Sequence, residues 1–358
     1  MSTTQPPTRI AIWDNYRGIL IALVVLGHAI SPMRNENIYL GGLYDFIYTF
    51  HMPAMLLVSA LFIKEVNTTM ETVGKNIIGI FSVWVFVEIL WMGYRFLWGE
   101  TAVRSSAFVV PSWTMWFLVT LFTLRLILPY ILWFKHPLVL SSVIALVAGF
   151  SPFIGAEFSA SRTLTFLPFF VLGYQLRNGF SAGSTPLFQH RWVSEGVPRW
   201  ASLSSLAILA SLLVVFVLNR REEWFESLTK WLLWKDSYHD LYDNIWLAPA
   251  IKAGLLLLAL GMLFLAFLAT PRKFAPLQIV GSNTMTIYIL HGFILYGIAQ
   301  SEILEGTVYE LPTVWLSLFF ALLSVAILAI GSFKPFVALV KPVLDPQWLA
   351  RFSSVRKQ

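Results

Sequence analysis

The chain has 358 residues, 57% of them hydrophobic and 12% charged, with a mean hydropathy of +0.71, a formal net charge of +6 and a pI of about 9.5. This composition excludes a water-soluble globular domain and points to an all-α, polytopic membrane bundle. The lack of cysteine excludes thiol nucleophiles, disulfides and thiolate metal sites. The basic residues are dispersed over short loops rather than gathered on one soluble face, which argues against nucleic acid as a partner.

Ten segments reach spanning length, near residues 11–31, 43–63, 75–97, 113–134, 137–155, 161–179, 202–218, 245–269, 276–299 and 311–333. The first is interrupted by Asp14, Asn15, Arg17 and His28 and lacks a small-residue cleavage pattern, so it is expected to stay as an anchor. With a cytoplasmic N-terminus, the inner segments collect fourteen Lys and Arg against four carboxylates, and the outer loops eight Lys and Arg. That bias predicts an N-in, C-in bundle in the cell membrane. A membrane domain over 1–335 and a cytoplasmic tail over 336–358 follow.

Two connectors are longer. Residues 180–201 are turn-rich and read as cytoplasmic. Residues 219–244 carry Trp224, Phe225, Leu228, Trp231, Leu232, Trp234, Tyr238 and Tyr242 at a spacing that fits an amphipathic helix lying in the membrane interface, although the aromatics could also stack on a sugar or a lipid acceptor. There is no repeat of fixed period.

Ionisable residues inside spans are costly and are functional candidates by default. Arg17 and His28 are eleven positions apart on the first span. Three helical turns put both on one face, separated by about 16 Å. His28, His51 and His291 fall in the outer half of their spans, with Asp45 nearer the mouth and Glu88 mid-span, whereas Arg17 and Arg125 lie toward the cytoplasm. Each has a plain structural alternative. A lone histidine can bond a neighbouring helix, His51 can serve backbone freed by Pro53, and Asp14 can neutralise Arg17. Three histidines at similar depth beside an Arg-to-His track are costlier to explain that way. Histidine titrates near neutral pH and can take a proton from a hydroxyl. No nucleotide cradle, His-Glu-x-x-His metal site or Gly-x-Ser-x-Gly elbow is present. A general base acting on an external nucleophile is what the residues leave.

Several ordered motifs then carry a resemblance. They are Asp14-Asn-Tyr-Arg17-Gly18 with Gly27-His28, Phe50-His51-Met52-Pro53 through Ser59-Ala60, Trp113-Thr-Met-Trp116-Phe117-Leu118, Leu167-Pro168 through Gly173-Tyr174, and Gly281-Ser-Asn283 through Tyr288 to His291. Together they resemble the integral-membrane acyltransferase family 3, the sugar O-acetyltransferase group, whose signature is an Arg, ten residues and a His. The resemblance implies ten membrane helices, a cytoplasmic acyl donor, usually acetyl-CoA, and an acceptor hydroxyl on the outer side. It makes His28 the base and Arg17 a donor-binding or positioning residue, with His51 and His291 at family positions.

The resulting expectations are specific. His51, Glu88 or Asp45 would orient His28. Arg17, Arg125 and Lys75 would hold the donor, and His291, Trp116, Tyr288 and Asn283 would face the acceptor. One tunnel would connect Arg17 to His28. The chain departs from the family pattern in having only Lys75 where a basic run often precedes the third span, and no soluble domain is expected after the last span. A glycan, an O-antigen sugar and a glycolipid such as a mycolyl trehalose all suit the acceptor role. A secondary transporter of a small anion or acyl carrier would use the same buried charges, but shows matched halves that are not found here.

Overall fold

The structure, a computed structural model, describes residues 11–63, 66, 68–100, 108–180, 185–190, 193, 196–346 and 348–349, with the side chains of residues 70, 71 and 223–226 excepted. Of the charges used for orientation, Arg9, Lys64, Glu65, Arg104, Arg191, Glu195, Arg351, Arg356 and Lys357 lie outside the described residues, as does part of the expected tail. Every regular element among the described residues is a helix, and none is a strand.

In chain order the helices are α1 (Ala11–Ile30), α2 (Ile38–Leu61), α3 (Met70–Asn76), α4 (Ser82–Leu97), α5 (Trp116–Leu132), α6 (Pro137–Val147), α7 (Ala160–Asn178), α8 (Arg199–Leu218), α9 (Glu223–Leu232), α10 (Tyr238–Leu241), α11 (Ala248–Ala269), α12 (Ala275–Ser282), α13 (Thr284–Gln300), α14 (Thr313–Ser332) and α15 (Lys334–Leu344). Among the described residues five helices are long and apolar enough to cross a bilayer: Ala11–Met33, Thr72–Leu97, Arg199–Leu218, Ala248–Ala269 and Thr313–Ser332. The expected span at 276–299 is a broken one. α12 and α13 meet at Asn283 at an angle of 77°, which makes a sixth span if the pair is counted as one.

α2 occupies the centre. It packs against α1, α7, α8 and α11 and is buried over nearly its whole length. Its Asn37 cap accepts the backbone N–H groups of Tyr39 and Leu40 at 3.1 and 3.2 Å, satisfying donors that a helix start leaves orphaned. A helix enclosed by other helices needs no lipid-facing stripe, and α2 accordingly carries Asp45, Thr49 and His51, all buried. The outer helices show the converse pattern. Leu203 and Leu218 on α8, and Val314 and Leu322 on α14, are 60–76% exposed. Apolar surface on this scale suits contact with lipid.

α1 joins the bundle through close backbone approach to α12. A Cβ on Gly281 would lie 1.8 Å from the carbonyl oxygen of Asp14, and one on Gly18 would lie 2.4 Å from that of Leu277. The two glycines are therefore what allow this crossing. α1 is also pinned by Asn15, which donates to Pro271 O at 2.6 Å, and by the Tyr16 hydroxyl, which donates to Leu263 O at 2.7 Å.

The 219–244 connector differs from a helix lying free in the interface. α9 and α10 cover one end of the bundle and turn their aromatic face onto protein: Trp231, Leu232, Trp234 and Tyr238 are all buried. Tyr238 donates to Leu146 O at 2.7 Å, while the Trp234 and Leu233 carbonyls accept from Ser161 and Arg162 at 3.1 and 3.0 Å. Among the described side chains, Trp231, Leu232, Trp234 and Tyr238 face the ends of α6, α7 and α11, which sequence periodicity cannot distinguish from lipid, whereas Tyr242 is exposed.

Candidate functional site

His28, in the last turn of α1, faces His291 in the middle of α13. Their ring nitrogens, His28 Nδ1 and His291 Nε2, are 2.9 Å apart, and the ring planes differ by 3°. His291 is fixed from behind, since its Nδ1 lies 3.2 Å from Ile287 O. A carbonyl can only accept, so Nδ1 of His291 carries a proton and donates it. In the neutral pair His291 then presents a bare Nε2 to His28, which must donate from Nδ1. That leaves the lone pair of His28 on Nε2, on the side of the ring away from His291. His51 shows the same logic one helix away, as its Nδ1 donates to Ile47 O at 2.7 Å. This serves the helix's own backbone, although not the Thr49 carbonyl that Pro53 leaves without its usual partner.

His28 and His51 line one cavity of about 150 Å³ together with Arg34, Tyr48, Trp113 and Arg162. Trp113 approaches His28 with ring centroids 5.2 Å apart, and Tyr48 approaches His51 at 4.8 Å. Arg162, at the start of α7, sits 4.6 Å above the Trp116 ring. Its Nε donates to Leu233 O, so the guanidinium is held in place by both the cavity wall and the α9 cover. Sequence reasoning placed Arg162 only among outer-loop charges. Its neighbour across the cavity, Trp116, lies on another helix, and local pattern gives no sign of the pairing.

A second cavity, of about 230 Å³, is lined by Arg17, Ser59, Phe62, Arg125 and Tyr288. Arg17 lies 5.7 Å from the Phe62 ring centroid, and Arg125 donates to Asn76 Oδ1 at 3.4 Å. The expected single tunnel is thus two cavities, with Tyr288 in the wall of both. The Tyr288 hydroxyl donates to the Thr114 carbonyl, tying this partition to the turn that carries Trp113.

The structure gives His28 a different partner from those expected. Glu88, on α4, accepts from the backbone N–H of Ser112 at 3.2 Å and from its hydroxyl, so it fixes the turn before α5. Asp45 accepts from Thr229 at 2.7 Å and pairs with Arg220 at 3.4 Å, which anchors α9 to α2. His51 shares the cavity with His28 but bonds its own helix. The residue bonded to His28 is His291, which had been expected to face the acceptor. Asn283 and Lys75 also fall outside both cavities. Asn283 sits at the α12–α13 bend and donates to Ile279 O at 2.8 Å, and Lys75 is exposed on α3. Bends and short helices shift residues that an uninterrupted span would have aligned with the cavity. Trp116 and Tyr288 do line the His28 cavity.

This arrangement can support proton abstraction beside a permanent cation. Among the described residues no group of His, Asp and Glu is set to hold a metal ion. Neither a curated protein nor a solved structure matches the chain. The model of an acyltransferase domain matches residues 10–331, from the first turn of α1 through the last of α14, and includes every residue of both cavities. The chain belongs to the acyltransferase 3 family of membrane proteins.

Proposed function

We propose that the protein is an O-acyltransferase that carries an acetyl group from cytoplasmic acetyl-CoA to a hydroxyl of an extracytoplasmic envelope sugar or glycolipid. It would work within a plasma-membrane bundle of about ten spans, N-in and C-in. The observation that carries this reading is the His28–His291 pair, which leaves the lone pair of His28 on the nitrogen away from its partner, in a residue that lines the cavity also holding Arg162. A histidine so tied has a fixed tautomer and a fixed aim, as a general base requires.

In the proposed reaction the acceptor hydroxyl enters the His28 cavity and the donor enters past Arg17 and Arg125. Two guanidinium groups suit the anionic end of such a donor. Nε2 of His28 takes the hydroxyl proton as the oxygen bonds to the thioester carbonyl carbon. The tetrahedral adduct then expels sulfur, the C–S bond breaks, and the proton passes from His28 to the leaving thiolate. Arg162 lies in the same cavity and suits the negative charge that builds on the carbonyl oxygen. Enclosing both reactants at one wall lowers the barrier further through proximity. Tyr288 separates the two entrances, so the thioester must pass its ring.

The test is transfer of label from radiolabelled acetyl-CoA by purified protein supplied with envelope lipids and glycans. An alkali-labile ester product made by the wild type and lost in His28→Ala is the expected result. Two cavities meeting at a partition are also the geometry of an occluded transporter. Uptake of donor or acceptor into vesicles with no ester formed would overturn the enzyme in favour of that reading.

A further inference from the structure

A third cavity adjoins the His28 cavity beneath the α9 cover. Arg34, Arg220, Arg221 and Lys230 line it, and among the described side chains no carboxylate does. Arg34 and Leu233 belong to the walls of both this basin and the His28 cavity.

The basin is built rather than incidental. Arg220 is only 6% exposed and is braced by Asp45 behind it, with Nε 3.4 Å from Oδ2. It also donates to Arg34 O at 3.3 Å, which joins the segment after α8 to the turn after α1. Gly41 makes the seat: a Cβ there would lie 2.7 Å from Arg220 Nε and 2.3 Å from Arg34 O. Arg34 is in turn held by Ser31 Oγ at 3.0 Å and by the face of Tyr44, 5.5 Å from its centroid. Asp45 braces Arg220, and among the described side chains no carboxylate joins Arg34, Arg221 and Lys230 along the wall. Gathering them costs free energy through mutual repulsion unless an anion joins them.

The height of the basin narrows the anion. α8 is an apolar helix of 20 residues, Arg199–Leu218, about 30 Å long. Arg220 and Arg221 follow its last residue by two and three positions, which is the level of lipid phosphates when α8 spans. This is also the end of the bundle where, in the proposed orientation, Lys and Arg are disfavoured. Guanidinium groups in a fork match phosphate oxygens two at a time.

We infer that this basin binds a phosphate group and that the acceptor of the proposed acyl transfer carries it, with the shared Arg34 wall setting the distance from that phosphate to the hydroxyl at His28. The assignment to the acceptor rests on the acyl-transfer reading; the binding of phosphate does not. The phosphate can belong to a soluble phosphorylated saccharide or to a lipid-held one, and the two differ in how they reach the basin.

The test uses the full chain in phosphatidylcholine nanodiscs at fixed ionic strength, with the thermal midpoint as readout. One arm titrates inorganic pyrophosphate; the other replaces part of the lipid with phosphatidic acid. Ligand bound only by the folded state raises the midpoint. The expected result is a dose-dependent rise in at least one arm, with an apparent affinity about tenfold weaker in the exposed double variant R221Q/K230Q. A rise in the first arm assigns a soluble source and a rise confined to the second a membrane-held one. The control K273Q, a change to an exposed lysine of another cavity, should behave as wild type. No rise in either arm, a rise untouched by R221Q/K230Q, or equal weakening by K273Q would overturn the inference. Because no acyl donor is present, failure here leaves the transferase reading standing. A wild type that binds phosphate but forms no ester would instead retire that reading and leave the basin.

Discussion

His28 and His291, 263 residues apart in the chain, share a hydrogen bond of 2.9 Å between nearly parallel rings. The bond runs in one direction because Ile287 O claims the far nitrogen of His291. In the proposed reaction the two residues would divide the work: His28 would act on the hydroxyl, and His291 would set its tautomer. His28→Ala should reduce transfer by about 10²–10⁴-fold, the usual contribution of a general base. His291→Ala should lower kcat by about 10²-fold with little change in either KM, and His291→Gln, whose amide oxygen can still accept from Nδ1, should recover part of it. Steady-state kinetics on the three variants check this. Wild-type kcat in His291→Ala would remove the orienting role.

Arg17 and Arg125 line the second cavity, the proposed entry for the donor, and are absent from the wall of the His28 cavity. Replacing either with Ala should raise the KM for the acyl donor about tenfold or more, the loss expected for a charged hydrogen bond. The acceptor KM should stay within a factor of two or so of wild type. Initial rates with each substrate varied in turn separate the effects, and an increase confined to the acceptor KM would reverse the assignment of the two cavities.

Tyr288 does two separable things. It belongs to the walls of both cavities, and its hydroxyl holds Thr114 O. Tyr288→Phe keeps the ring and should cost about 0.5–1.5 kcal/mol of stability, read from unfolding curves. Tyr288→Ala joins the cavities and should raise acceptor-independent hydrolysis of the donor, read as thiol release without added acceptor. Equal hydrolysis in the two variants would show that the ring is not the barrier.

Asp45 is fully buried and pairs with Arg220, so removing the carboxylate charge takes a counter-charge from a buried cation. Asp45→Asn should destabilise by about 3–5 kcal/mol, while the double change Asp45→Leu with Arg220→Met should be far milder. Thermal unfolding of the single and double variants decides it, and additive losses would contradict a coupled pair.

Gly281→Ala forces a Cβ to within 1.8 Å of the Asp14 carbonyl. The α1–α12 crossing must widen, at a cost of about 1–3 kcal/mol, and His28 on α1 moves with it. Gly254→Ala, on α11 with nothing within 4 Å of the added Cβ, should be neutral or mildly stabilising. Parallel melting curves of the two variants make the comparison, and equal midpoints would deny the close approach its importance.

Much of the candidate site was legible in the sequence. Apolar length and the cost of buried charge singled out Arg17, His28, His51, Arg125 and His291. Their ordering in motifs pointed to the acyltransferase family. The glycines of those motifs, Gly18 and Gly281, form a close backbone contact between α1 and α12. Glu88 and Asp45 were picked out correctly as buried carboxylates, but their partners are Ser112, Thr229 and Arg220. Those partners sit on loops and on another helix, where periodicity is silent.

By itself, the sequence determined that this chain must be helical and must hide particular ionisable groups from lipid, because both follow from residue chemistry and spacing along one helix. Only the tertiary structure decided which of those groups meet. The 77° break at Asn283, the α9 cover and the packing of α13 beside α1 bring His291 to His28, Arg162 to Trp116 and Arg34 to Arg220. Contacts of this kind depend on how helices cross, and helix crossing is set by the summed packing of many side chains rather than by any local pattern.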